Sequence, residues 1–191
     1  MKRKFLVILI ILFTSFNLLG CGQIKSHVSL GKVVILGDSY STFDGYIPQG
    51  YASWYKEGID YSDVTKVNQT WWYKLIDSTT NSSLYLNSSY SGSTICNTGY
   101  NGVDSTSTSF ITRLNSIINN EEIDLNCINT LIVYGGLNDY WANVPYGEIK
   151  FDNISNQDLF SFYPAVISLL QQAKSNLPNA RVVFIIEEYL N

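Results

Sequence analysis

Three positions in this 191-residue chain carry the residue types that acyl transfer through a serine requires. That chemistry needs a nucleophile, donors for the oxyanion, a base, and a group that orients the base. Ser39 follows the apolar run Val33-Val34-Ile35-Leu36 and the pair Gly37-Asp38. A buried strand that ends on a glycine turn is one way to expose a serine hydroxyl, although Gly-Asp-Ser alone is also an ordinary strand-ending turn. Gly92 lies in the small-residue run 88–94 and can offer its backbone N–H to a close ligand because it has no Cβ. The side-chain amide of Asn138, just after a later apolar run, can offer a second donor. One such donor is worth ~3–4 kcal/mol of transition-state stabilisation in serine hydrolases.

The base is what these residues lack. The single histidine, His27, precedes the first strand. A strand of five or six residues spans ~17–20 Å, so His27 is expected at the opposite end of the sheet from Ser39, as a solvated residue. Asp38, Asp44, Asp139, Glu187 and Glu188 are the acidic alternatives. A carboxylate of ordinary pKa is a poor base toward a serine hydroxyl, and Asp139 beside Asn138 reads as a structural hydrogen-bond partner.

The elements that must position these groups alternate along the chain. After the first strand comes an aromatic loop over 40–67, then a helix over 68–79 with Trp71, Trp72, Leu75 and Ile76 on one face. A short strand at 84–87 opens into the small-residue loop. Residues 107–118 form a helix with Phe110, Ile111, Leu114, Ile117 and Ile118 inward, and 128–134 is a third strand. Ser155-Asn156-Gln157-Asp158 is a capping box for a helix to residue 177, with Leu159, Tyr163, Val166, Ile167, Leu170 and Ala173 inward. Pro164 should kink that helix or restart it. Residues 181–186 form a fourth strand. Apolar strands alternating with helices imply an α/β fold with a parallel sheet covered on both faces, whose ligands bind at the carboxyl ends of the strands.

Gly37-Asp38-Ser39-Tyr40-Ser41, Asn87-Ser88-Ser89-Tyr90-Ser91-Gly92 and Gly135-Gly136-Leu137-Asn138-Asp139 resemble, in order and spacing, the first three blocks of the SGNH (GDSL-type) hydrolases. Those are esterases and lipases with a flavodoxin-like three-layer α/β/α fold. The resemblance covers residues 32–191. It implies Ser39 as nucleophile, with the Ser39 and Gly92 N–H groups and the Asn138 amide as oxyanion hole. The stretches 42–48 and 70–72 resemble a bacterial exported subgroup that acts on acylated carbohydrate, which implies an ester-bearing small molecule or acylated glycan as substrate. Tyr40, Trp54 and Trp141 lie in or beside the strand-end loops, where they can stack on a sugar ring or simply pack the loops. The family's fourth block, an Asp-x-x-His that supplies base and orienting carboxylate, has no counterpart. An incomplete domain without its last strand and helix, from a truncated reading frame rather than evolved loss, is therefore expected, with little or no esterase turnover. The alternative is a non-catalytic surface lipoprotein that binds a glycan or other ligand in the same cleft.

Composition sets the remaining bounds. Apolar residues make up 46% of the chain and charged ones only 15%, which is a folded composition with room for one substantial core. Met1-Lys2-Arg3-Lys4 and the apolar run over 5–19 read as an export signal, too short and interrupted to span a membrane comfortably. Leu18-Leu19-Gly20-Cys21 resembles a bacterial lipobox, which would make Cys21 the lipidated start of the mature chain, anchored to a membrane outside the cytoplasm by a tether over 21–31. Of the 12 basic residues, those at 2, 3 and 4 would leave with the signal, so 9 face 16 acidic ones and the net charge moves from −4 to −7. Such a surface repels phosphate backbones, and nucleic acid is not an expected partner. Cys96 and Cys127 can form a disulfide in an exported protein or stay as buried thiols. With these cysteines and one histidine no zinc-type cluster can be built, and no cofactor is expected.

Overall fold

Val33, Val34, Ile35 and Leu36 are completely buried, so the first strand is covered on both faces. Continuous burial of a β-branched run is what a central parallel strand requires. The computed structural model describes residues 27–186, and within it this run is strand β1 (Gly31–Gly37) at the interior of a four-stranded parallel sheet. The others are β2 (Ser82–Asn87), β3 (Thr130–Tyr134) and β4 (Arg181–Ile185), in the order β2-β1-β3-β4. That is the flavodoxin-like order through its fourth strand, and the chain reverses direction across the sheet between β1 and β3.

Alternation along β1 sorts its side chains between two cores. Val34 and Leu36 join Leu131 and Val133 of β3 under helices α2 (Phe110–Ile118) and α4 (Phe162–Asn176). Val33 and Ile35 join Ile132 on the other face, under helix α1 (Trp71–Asp77) and the aromatic loop residues Phe43, Tyr55 and Ile59. The result is the expected three-layer α/β/α arrangement. Two cores explain why a chain so poor in charge needs so long an aromatic loop: it is the lid of the second core.

Boundaries shift from the sequence reading where capping decides them. Thr70 caps α1 through its side chain to Tyr73 N, and Ser109 caps α2 to Thr112 N, so both helices start later than their apolar periodicity suggests. Ser155 and Asp158 do exchange hydrogen bonds, but they close a single 3-10 turn over Asp158–Phe160. The helix restarts at Phe162, which puts Pro164 in its first turn, where the missing N–H costs nothing. Of the residues expected inward, Ala173 is fully buried and Leu159, Val166 and Leu170 pack partly buried against the same core; Ala165 and Leu169 join them, and Tyr163 turns outward. A fourth helix, α3 (Leu137–Trp141), went unread because five residues carry too little periodicity.

The amino end of the sheet receives the chain. Leu30 N donates to Ser82 Oγ at 2.9 Å, and Thr130 Oγ1 donates to the Leu30 carbonyl at 2.7 Å. The last residues of the expected tether are thus bonded onto the body. His27 is exposed just ahead of them, and β1 separates it from Ser39 by about 20 Å. Cys21, the signal segment, Glu187 and Glu188 lie outside the described residues. Cys96 and Cys127 are both free thiols.

Candidate active site

All four strands are parallel, so the loops that follow them leave from one edge. Register makes the three relevant ends level: Gly37 sits beside Tyr134, and Ile35 sits beside Asn87. Ser39, Gly92 and Asn138 therefore lie in segments that leave one edge of the sheet, at the point where the strand order reverses. In open α/β sheets that is where ligands bind.

Ser39 opens a 3-10 turn, Ser39–Ser41, that is fixed from several sides. The Asp38 carboxylate accepts from Tyr40 N at 3.1 Å, and Thr42 Oγ1 donates to the Ser39 carbonyl at 2.7 Å. The Ser41 carbonyl accepts from Trp72 Nε1 at 3.0 Å and from Asn87 Nδ2 at 2.8 Å, while Trp71 Nε1 reaches Ser41 Oγ at 3.2 Å. Gly37 must be glycine, because a Cβ there would lie 2.5 Å from the Ser41 side chain. The helical spacing of Trp71 and Trp72 reads as core, and Trp72 is core; the indole N–H groups also hold the serine turn.

The loop after β2 continues the pairing with β1 beyond the strand. Ser88 N donates to the Ile35 carbonyl at 2.8 Å and Tyr90 N to the Gly37 carbonyl at 3.1 Å. The chain then turns at Gly92 with φ of +79°, a conformation that disfavours any side chain although the space around it is open. Among the described residues, neither the Ser39 nor the Gly92 backbone N–H has a hydrogen-bond partner.

Asn138 lies in the first turn of α3 and is buried. Its Nδ2 donates to the Ser93 carbonyl at 3.0 Å, and its Oδ1 accepts from the Tyr100 hydroxyl at 2.6 Å. One Nδ2–H remains uncommitted. Asp139 is a structural partner, as its position suggests: its carboxylate accepts from Ile95 N at 2.9 Å and Cys96 N at 3.2 Å, pinning the far end of the Gly92 loop. Burial pushes the Asp139 carboxyl above its ordinary pKa despite those amides.

Two residues of the site escaped the sequence reading. Arg113, in the buried stripe of α2, bonds Ser88 O and donates to Ser93 Oγ at 2.8 Å, bracketing Gly92 from beneath. Tyr100 comes from a hairpin whose only signal is Asn101-Gly102 at its tip. Of the expected ring platforms, Tyr40 is partly buried against the core under α1. Trp54 is 45% exposed and packs on Tyr61 at 5.1 Å, with its backbone N bonded to Thr42 Oγ1. Trp141 is 47% exposed, one helical turn beyond Asn138. Asp44 is exposed in the aromatic loop.

Comparison with known proteins places the chain in a family. A GDSL-like lipase from Bacteroides ovatus ATCC 8483 superposes with a TM-score of 0.75 at 39% identity, over 87% of this chain and 76% of that one. A GDSL-like lipase from Bacteroides uniformis ATCC 8492 gives 0.74 at 41% identity, over 84% and 73%. No curated protein matches the chain. The profile of the family described as GDSL-like Lipase/Acylhydrolase matches residues 31–191, from the first residue of β1 onward. The parallel sheet, the serine turn after β1 and this match together show that the chain belongs to the GDSL-like lipase/acylhydrolase family, a family of esterase-type hydrolases.

Proposed function

We propose that these segments form the crevice of a serine-esterase site, in which Ser39 Oγ attacks the carbonyl carbon of an acyl or acetyl ester. The observation that carries this reading is the pair of uncommitted backbone N–H groups at Ser39 and Gly92, joined by the uncommitted Nδ2–H of Asn138. Three donors around one serine suit the oxyanion of a tetrahedral intermediate, whose charge they stabilise more than that of the ground-state carbonyl. The attack transfers the Ser39 proton to a base, and the intermediate collapses with loss of the alcohol. Trp54 and Trp141 offer exposed ring faces beside the crevice for the alcohol part of the ester, which a sugar would suit.

The proton acceptor is the weak point within these 191 residues. Their single histidine is at the opposite end of the sheet, and the Asp139 carboxylate is engaged below the Gly92 loop. Loss of the histidine costs a serine hydrolase roughly a million-fold in turnover, while about a thousand-fold over water remains from binding and the oxyanion hole. The 191-residue chain is accordingly expected to react slowly, once, and without rapid turnover. The lipobox-like Leu18-Leu19-Gly20-Cys21 supports an exported chain held to a membrane by lipid at Cys21.

A fluorophosphonate probe tests the reading. Covalent labelling that maps to Ser39, is lost in Ser39→Ala and is slowed about a hundredfold in Asn138→Ala supports it. Rapid hydrolysis of an aryl acetate by the same chain, abolished by Ser39→Ala, would overturn the expectation of weak turnover. Glycan binding without any labelling would favour a ligand-binding role for the crevice instead.

A further inference from the structure

We infer that Tyr100 is a positioning residue for Asn138, fixing which way its side-chain amide faces and so whether it can serve as an oxyanion donor. The inference rests on the serine-esterase reading for its catalytic meaning, and on hydrogen-bond chemistry for its geometry.

A carbonyl oxygen can only accept. The Ser93 carbonyl, 3.0 Å from the amide nitrogen of Asn138, therefore demands the NH2 end of that side chain. The Tyr100 hydroxyl is 2.6 Å from the other end and is left to donate to Oδ1. The two contacts specify the same orientation from opposite sides. If the amide turned over, oxygen would face oxygen at Ser93, and the tyrosine O–H would lose its acceptor. Donation into Oδ1 also draws electron density from the amide, which makes the remaining Nδ2–H a better donor.

The loop that carries Tyr100 is built to hold it there. Thr98 pairs with Asp104 across a hairpin, and Gly99 N donates to the Val103 carbonyl at 2.7 Å. The tip turns through Asn101 and Gly102, both in the left-handed region. Thr98 Oγ1 donates to the Phe160 carbonyl at 2.7 Å and Asn97 N to the Leu159 carbonyl at 2.8 Å, tying the hairpin to the segment before α4. The ring itself is 41% exposed, so its packing is not why the hairpin is held; the hydroxyl contact is the specific feature of its placement.

The experiment uses the 191-residue chain with Tyr100→Phe, which keeps the ring and removes only the hydroxyl, and reads two quantities. In 15N NMR, the two Nδ2 protons of Asn138 should be well separated in the native chain and should converge and exchange faster in Tyr100→Phe. Unchanged Asn138 amide signals in that variant would overturn the inference. In fluorophosphonate labelling of Ser39, Tyr100→Phe should slow the reaction about threefold to tenfold, the worth of one neutral hydrogen bond. The double variant Tyr100→Phe/Asn138→Ala should then be no slower than Asn138→Ala, because Tyr100 acts through Asn138. Independent, multiplying effects would equally overturn it. A native chain that is not labelled at Ser39 rejects the esterase reading, and the NMR result alone then decides whether Tyr100 sets the amide.

Discussion

Arg113 donates a guanidinium N–H to Ser93 Oγ at 2.8 Å, and the carbonyl of the same serine accepts the Asn138 amide at 3.0 Å. One residue thus links a buried cation to the candidate oxyanion donor. The guanidinium also bonds Ser88 O, donates through Nε to the Thr108 carbonyl at 2.9 Å and lies 4.4 Å over the Phe110 ring. Burial pushes its pKa down to about 9, which leaves it charged at neutral pH. The nearby Asp38 charge opposes the effect of burial and favours the cation, beside the neutral acceptors and the aromatic face.

Replacing Arg113 by Met would remove the guanidinium partner of the buried Ser88 carbonyl and of the part-buried Thr108 carbonyl, while Ser93 Oγ keeps its bond to the Tyr90 carbonyl. Each acceptor left unsatisfied costs roughly 1–3 kcal/mol. A loss of about 3 kcal/mol or more is expected in urea unfolding. Arg113→Lys should lose less stability, yet one ammonium cannot span Ser88, Ser93 and Thr108 together, so Ser39 labelling should slow while the chain stays folded. A loss below about 1 kcal/mol in Arg113→Met would mean that water replaces the guanidinium without penalty.

Trp72 gives a second, smaller separation of packing from polar contact. Its indole N–H donates to the Ser41 carbonyl, which also has Asn87 Nδ2, so Trp72→Phe leaves that acceptor satisfied once. The expected loss is about 1–2 kcal/mol, against about 3–5 kcal/mol for Trp72→Ala, which also opens a cavity in the second core. Thermal unfolding of the two variants checks the ranking. Equal losses would show that the N–H, not the ring, holds the serine turn.

The sheet was legible because β1 and β3 are short apolar runs buried on both sides, and burial of that kind leaves little choice of residue. The candidate positions Ser39 and Asn138 could be placed at one sheet edge because each follows such a run, whereas Gly92 follows β2, which is only partly buried. What could not be read depends on contacts between distant segments. Arg113 stands among apolar residues of α2, and a charge at a helix position ordinarily signals solvent; only the fold shows that Ser88 and Ser93 wait beneath it. Tyr100 reaches Asn138 across 38 residues of sequence. The start of α4 differs from the expected one because the capping signal at Ser155 closes one 3-10 turn, and the helix begins seven residues later with Tyr163 turned outward. Local capping chemistry fixes a turn; whether a helix continues from it depends on what the next residues can bury.

The two described cysteines should differ sharply toward alkylation. Cys96 is fully buried, and burial, reinforced by the Asp139 charge, pushes its thiol up to about 12. Thiolate is the reactive form, so Cys96 should resist iodoacetamide at pH 8 in the native chain and react only after unfolding. Cys127 is half-buried, with its Sγ–H on the Asp124 carboxylate at 2.8 Å, and should be modified first. Peptide mapping after a timed reaction distinguishes the two sites. Equal modification of Cys96 in the native state, or recovery of a Cys96–Cys127 disulfide, would contradict the packing of the Gly92 loop.

Asp139 makes the pH dependence of that loop testable, with the sign fixed by its environment. Burial raises its folded-state pKa above 3.8, outweighing the Ile95 and Cys96 amides that favour the anion. A carboxyl shifted upward contributes stability fully below pH 3.8 and loses that contribution as pH rises through the folded value. Asn at this position cannot ionise, so the comparison isolates the effect. The unfolding free energy of the native chain relative to Asp139→Asn should fall between pH 3.5 and pH 7, measured by urea titration at each pH. A native advantage that instead grows with pH would mean the two amides overcome desolvation and hold the carboxylate charged. In that case Asp139 would anchor the Gly92 loop as an anion, and acid, rather than neutral pH, would loosen it.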